Sequence, residues 1–238
     1  MMKVTYLEHS GFLVELEDSC LLFDYYRGEL PGLDPDKKML VFVSHAHYDH
    51  YNRKIFDMFG GRPDVRFIIS SDIYPAGLPD REDIISVGPG EEYPVLDASV
   101  RTLRSNDEGV AFVVHCEGKT IYHAGDLNWW HWKGEPEAFN VMMRRSYQSQ
   151  INKLQNEKID VAFVPVDPRL GEQYFWGLDC FMKRVWSRWV FPMHFWGNYE
   201  IFDRLALEKS TEEYRDRIVK IERAGQTFVL QEPERKGE

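Results

Sequence analysis

Residues 41–52 read VFVSHAHYDHYN, and positions 45–50 of that run hold His45, His47, Asp49 and His50. Imidazole nitrogens and carboxylate oxygens suit zinc, and also iron or manganese. A strand predicted to end at Val43 turns into a helix near Asp49, and side chains at such a junction can converge on one point. His45 and His47 are two apart, so extended backbone puts them on one face, whereas Asp49 and His50 are adjacent and point differently. The natural use is two metal centres, one held by His45 and His47 and the other by Asp49 and His50. Eight histidines in 238 residues rarely place three within six positions, which argues against an incidental polar loop.

Two centres need more than four ligands. The segment TIYHAGDLNWW ends a predicted strand in Gly-Asp and puts Asp126 at a loop mouth, where one carboxylate can bridge two cations. VFPMHFWGN ends another strand with His194, which can complete the second centre. Taken alone, Asp126 could equally cap a helix, and His194 could equally be a histidine packed among aromatics.

The elements that must carry these residues are legible in outline. KVTYLEH, GFLVEL, CLLFDYY, KKMLVFVSH, VRFIIS and DIISV read as strands, with a helix over residues 49–59. ASVRTLRS, EGVAFVVHCEG and KTIYHAGD form a second strand block, and Glu-Gly before Lys119 predicts a hairpin. Helices are expected over 135–157, 178–189 and 200–209, strands over 159–167 and 190–195, and a closing hairpin over 218–231. No repeat or Pro/Gly/Ser linker divides the chain, so residues 1–238 are expected to form one domain. Strand blocks with helices between and after them suggest an α/β fold of two facing sheets with helices outside, four layers in all.

Composition narrows the function. Hydrophobic residues at 43% and aromatics at 14% supply a sizeable core. A formal net charge of −10 repels phosphate backbones, so nucleic acid is not an expected partner. Cys20, Cys116 and Cys180 are far apart and in no C-x-x-C pattern, which fits a reducing compartment. The charged start MMKVTYLEHSGFLVELED lacks a signal-peptide core, and no apolar run approaches a membrane span. A cytoplasmic protein is expected.

H-x-H-x-D-H after an apolar strand, then a strand ending in Gly-Asp, then one ending in His, resembles the metallo-β-lactamase superfamily. LEHSGFLVE followed by LLFDYY, with IYHAGDL, IDVAFVPV and FPMHF, resembles the branch of L-ascorbate-6-phosphate lactonases and related metal-dependent hydrolases. The resemblance runs over most of the chain and implies an αββα sandwich with the site along one edge of the sheets. It implies that His45 and His47 hold one metal, that Asp49, His50 and His194 hold the other, and that Asp126 bridges them. It also implies that Asp24 supports the histidine loop and that His9, in the EHSG turn, lines the pocket near the metals. Two divalent cations are expected, zinc first, with manganese or iron as alternatives.

The pattern breaks at one place. Many relatives of this kind supply a third histidine to the first metal, but RTLRSNDEGVAFVV has none. Asp107 is the leading replacement, which would harden the site towards manganese or iron. His131 reaching in, or a one-metal site, are the alternatives, and Asp107 can also be an ordinary turn residue. His115 is expected to be structural, and His123 to support the ligands rather than join them. All seven tryptophans lie between residues 129 and 196. The NWWHW run (Trp129, Trp130, His131 and Trp132), Trp196 after His194, and Tyr174 with Trp176 are therefore candidates for an aromatic pocket rim, Trp186 for packing, and Arg169 for an anionic substrate group.

The expected function is hydrolysis of a small-molecule ester, lactone, amide or phosphodiester by a metal-bound hydroxide. Asp49 and Asp126 are the catalytic candidates, Asp49 as the residue that orients the nucleophile and moves its proton. The alternatives are a metal-binding protein with an altered one-metal site, or a phosphodiesterase or nuclease-type relative. His47 stands where diiron redox relatives carry a carboxylate, which argues against redox chemistry.

Overall fold

The computed structural model describes residues 1–231. Its first sheet is built from β1 (Met2–Glu8), β2 (Gly11–Glu15), β3 (Ser19–Phe23), β4 (Lys38–Val43), β5 (Val65–Ser70), β6 (Ile84–Val87) and β13 (Thr227–Leu230). The strand order is β13-β1-β2-β3-β4-β5-β6. The second sheet holds β7 (Glu92–Val95), β8 (Ala98–Arg104), β9 (Val110–Cys116), β10 (Lys119–His123), β11 (Lys158–Pro165) and β12 (Trp186–Met193), in the order β12-β11-β10-β9-β8-β7.

Near-continuous apolar strands such as KMLVFV arise because both faces of the first sheet are covered. Phe12, Phe23 and Phe42 point one way, into a core shared with Phe112 and Phe163 of the second sheet. The Phe12 and Phe163 rings stack 4.2 Å apart across that core. Leu13, Leu22, Met39, Val41 and Val43 point the other way, against Ile55, Phe56 and Phe59 of helix α1 (Ile55–Phe59). Helices α2 (Glu137–Ile151) and α3 (Trp176–Met182) cover the second sheet. Tyr122 of β10 stacks on Phe181 of α3 at 5.2 Å, and Tyr147 of α2 donates to the Gly177 carbonyl. The layers therefore run helix, sheet, sheet, helix, as expected. Among the described residues no helix is long and apolar enough to cross a membrane.

Three expectations are corrected. The helix expected over 49–59 is confined to α1, because residues 49–52 are held in a turn by the site described below. The helix expected over 178–189 ends at Met182, and residues 186–189 open β12 instead. Trp186 then faces outward, 51% exposed, rather than packing in a core. The spacing of Leu178, Phe181, Val185 and Trp189 mimics a helix, but parallel pairing of Trp189 with Val161 on β11 decides the local structure. Residues 218–231 form no hairpin. β13 pairs with β1 across the whole chain, Met2 opposite Leu230, and Ile218 makes an isolated bridge to Val190. The hairpin between β9 and β10 forms as expected, with Glu117 and Gly118 both at positive φ (49° and 70°). The short strand β7 is an addition to the sequence reading.

Candidate metal centre

The site lies where the strands end. β3 and β4 run parallel, and Asp24 follows the end of β3 beside Ser44, which follows the end of β4. Asp24 is fully buried and accepts from Ser44 N (2.7 Å), Ser44 Oγ (2.6 Å) and His50 Nδ1 (2.7 Å). Burial alone would raise its pKa, but the His123, His50 and His45 rings around it bring the carboxyl below its ordinary value. With Nδ1 donating to Asp24, His50 turns its Nε2 towards Asp126 Oδ1, 3.2 Å away. The single Ser44 hydroxyl proton goes to Asp24, so that oxygen accepts from His45 Nδ1 at 2.9 Å. His45 Nε2 is thereby left as a lone pair, 3.3 Å from Asp126 Oδ2.

The other sheet repeats this device. β11 and β12 run parallel, and Asp167 follows the end of β11 beside His194 at the end of β12. His194 Nδ1 donates to Asp167 Oδ2 at 2.9 Å, and its Nε2 faces Asp126 Oδ1 at 3.4 Å. Asp167 is also gripped by Arg169, whose Nε and Nη2 donate to its two oxygens. Although burial would raise it, those two partners hold the Asp167 pKa down to about 2. Sequence reasoning missed Asp167. The available signal was its position: like Asp24, it ends the parallel strand next to one that delivers a ligand.

Asp126 sits at the centre. Its Oδ1 faces His50 and His194, and its Oδ2 faces His45 and the Nδ1 of His47, the last at 3.9 Å. It does not cap a helix; instead its own carbonyl accepts from Trp130 Nε1. Burial opposes its charge, but His50 and His194 hold it ionised well below the ordinary range. Burial would likewise lower His50, yet Asp126 and Asp24 raise it well above an ordinary histidine.

Three overlapping ligand sets result. His9, Asp49, His50 and His194 are all buried, with candidate ligand atoms within 4.8 Å of one another. His47, Asp107 and Asp126 form a second set by the same measure, and His45, His50 and Asp126 a third that joins them. The outer set is open: the His47 side chain is 43% exposed and Asp107 is exposed. Glu108, next to Asp107 in the same turn, approaches His47 Nε2 at 3.4 Å. Partial loss of solvent at the cavity mouth and nearby Asp126 raise the Asp107 carboxyl.

The donor chemistry fits divalent cations. His9 Nε2, His50 Nε2 and Asp126 Oδ1 are buried with no hydrogen-bond partner. Buried polar atoms are nearly always paired, and several lone pairs converging on one point need protons or a cation between them.

A cavity of about 430 Å³ opens over these residues. It is lined by Asp49, Asp107, Asp126 and His194, with Trp130, Trp132, Trp196, Tyr48, Phe139, Met143 and Arg169 on its walls. The expected aromatic rim is corrected in its members. Trp129, His131 and Trp176 line a separate cavity against α2, with Trp129 and Trp176 in edge contact at 5.5 Å. Successive side chains of NWWHW alternate, so Trp130 and Trp132 stack at 5.8 Å on the site's side and Trp129 and His131 fall on the other. His131 thus does not replace the third histidine. His123 donates Nε2 to the Ser10 carbonyl and accepts from Gly125 N, a supporting part. His115 bonds Thr120 across its hairpin.

Comparison with known proteins agrees with this fold. A family model described as the beta-lactamase superfamily domain matches residues 3–133. The chain is 29% identical over 223 residues to a UPF0173 metal-dependent hydrolase of Opitutus terrae, covering 84% of this chain and 87% of that one. Among solved structures, it is similar to Igni18, a metallo hydrolase from Ignicoccus hospitalis, with a TM-score of 0.62 at 18% identity. That alignment covers 97% of this chain and 99% of Igni18. The metallo-beta-lactamase fold protein YhfI from Bacillus subtilis superposes with a TM-score of 0.61 at 14% identity, over 96% of this chain and all of YhfI (100%).

Proposed function

The chain belongs to the beta-lactamase superfamily, and from that premise we propose that it is a metal-dependent hydrolase with a two-cation centre bridged by Asp126. One observation carries the reading: the two oxygens of a single buried carboxylate face two different pairs of imidazoles. His45, His47 and Asp107 would hold the outer cation, and Asp49, His50 and His194 the inner one. Two such cations would supply a water acidified towards neutrality and stabilisation of the charge that develops on the substrate.

The chain's own residues do the rest. Asp24 and Asp167 fix the tautomers of His50 and His194, so that each Nε2 stays free. Asp49, 8% exposed at the cavity wall, would orient the attacking water and take up its proton. Trp130, Trp132 and Trp196 give the substrate apolar walls and limit water. Arg169 lies over the Trp196 ring at 4.6 Å and the Trp132 ring at 5.5 Å, at the cavity wall, where it would meet an anionic substrate group. The substrate of this reading is a small ester, lactone, amide or phosphodiester with an apolar part. The lactonase branch remains an expectation within that range. Zinc is the first cation to test, with manganese and iron next, since Asp107 adds a hard oxygen. Nucleic acid and membranes are not proposed as partners of this acidic chain, and a cytoplasmic location is.

Elemental analysis of the purified protein should find two divalent cations per chain, and a panel of the four substrate classes should show turnover. Asp126→Asn should lose at least one cation and most of that turnover. Cation-free protein at micromolar metal, or normal turnover in Asp126→Asn, would contradict the reading. The openness of the outer set favours one variant, a single-cation enzyme; one cation per chain with full activity would select it.

A further inference from the structure

Resting on that reading, we propose that His9 is an additional protein ligand of the inner cation, which makes the inner centre closed and leaves the exchangeable position on the outer one. With His9, the inner centre counts three imidazoles (His9, His50, His194) and two carboxylates (Asp49, Asp126). A centre filled by protein atoms has the character of a structural site, whereas one with an open position has that of a catalytic site.

His9 sits in the turn between β1 and β2, only 4% exposed. Its Nε2 has no hydrogen-bond partner, like His50 Nε2 and Asp126 Oδ1 beside it. Asp49 Oδ2 is 3.4 Å away, longer than an ordinary hydrogen bond and suited to two ligands of one ion. The ring centroid lies 4.1 Å from that of His194 and 5.4 Å from that of His50.

The turn is built to hold the ring there. His9 adopts φ 56°, a left-handed conformation that is unfavourable for a non-glycine residue. Tyr6 Oη accepts from its N–H at 2.9 Å, and its carbonyl accepts from His194 N at 3.2 Å. His194 is itself at φ 63°. Two strained histidines from different sheets are thus tied backbone to backbone, and both rings reach the same point.

The rival role for His9 is a hydrogen bond that orients Asp49. Two variants separate them, because glutamine can keep a donor near Asp49 but is a poor ligand. Metal-stripped wild type, His9→Ala, His9→Gln and Asp107→Ala are titrated with cobalt(II), read by visible absorption and calorimetry, with circular dichroism as the check on folding. Wild type should bind two ions in unequal steps. Both His9 variants should weaken the tighter step by more than about 100-fold, beyond the roughly 10- to 100-fold that losing a partner outside the ligands costs, and spare the weaker. Asp107→Ala should do the reverse. If wild type binds two ions and His9→Ala leaves the tighter step unchanged, or His9→Gln restores it, His9 is not a ligand, while the two-cation reading stands. If wild type binds no cobalt, the two-cation reading falls, and the role of His9 falls with it.

Discussion

Asp107 shows how much one residue can decide. Asp107 and Asp126, with His47, gather candidate ligand atoms within 4.8 Å in a set open to the cavity. Asp107→Ala should lower occupancy of the outer position and spare the inner one, and Asp107→His should restore it with a shift towards zinc. Competition titrations of zinc against manganese in the stripped variants read this out, and unchanged binding in Asp107→Ala would return Asp107 to the turn. His50 makes a second prediction. In the metal-free protein Asp126 and Asp24 raise its pKa well above the ordinary value against the opposing effect of burial, which favours a proton on Nε2 as well as on Nδ1. A cation taking Nε2 must expel that proton, so binding should release it and strengthen as pH rises towards the raised pKa. Calorimetry in buffers of different ionisation enthalpy measures the release; no proton released at pH 7 would show that His50 is not a ligand. At this scale the sequence spoke clearly for His45, His47, Asp49 and His50, because their spacing alone is improbable. It was silent on Asp167, because a carboxylate that orients a ligand has no motif of its own, only a place beside the right strand.

Loops hold these residues, and two glycines let the loops approach. Gly109 is at φ +67°, and a Cβ there would lie 1.9 Å from the Ser44 carbonyl oxygen and 2.7 Å from His45 Cβ. Gly125, at φ +51°, would meet Ser44 Cβ at 2.7 Å. The Ser44 carbonyl is also the acceptor for Val110 N at 2.9 Å, so this crossing ties the Asp107 turn to the histidine loop. Gly109→Ala should therefore both destabilise the fold and displace His45. Gly118→Ala is the control, since φ +70° strains it similarly and nothing lies within 4 Å. Each should cost about 1–3 kcal/mol for the backbone strain, but only Gly109→Ala should lose outer-site metal. Equal metal content in the two variants would show that the crossing does not position the site. The strands that lead into these loops were readable because β4 is apolar from Met39 to Val43 and β5 is apolar apart from Arg66 and Ser70. The tail was not: β13 pairs with β1, more than 200 residues away, and no local pattern encodes a partner at that distance. The aromatic rim misled for a similar reason. Nearness in sequence to Asp126 put all of NWWHW near the site, but side-chain alternation admits only half of it.

The whole molecule is two sheets pressed together so that strand ends from both reach one edge. Asp24 and the histidine loop come from the first sheet, and Asp126, Asp167 and His194 from the second. Neither sheet alone completes either ligand set, so the centre should also act as a clasp between them, and the layered order was legible because alternating strand and helix blocks leave few ways to bury both sheets. What most directly tests the account is anomalous diffraction from crystals of the protein soaked with zinc or manganese. The account predicts two peaks roughly 3.5–4 Å apart, one against each oxygen of Asp126, with the inner peak between His50 and His194. A single peak remote from Asp126, or two peaks with Asp126 touching only one, would contradict it.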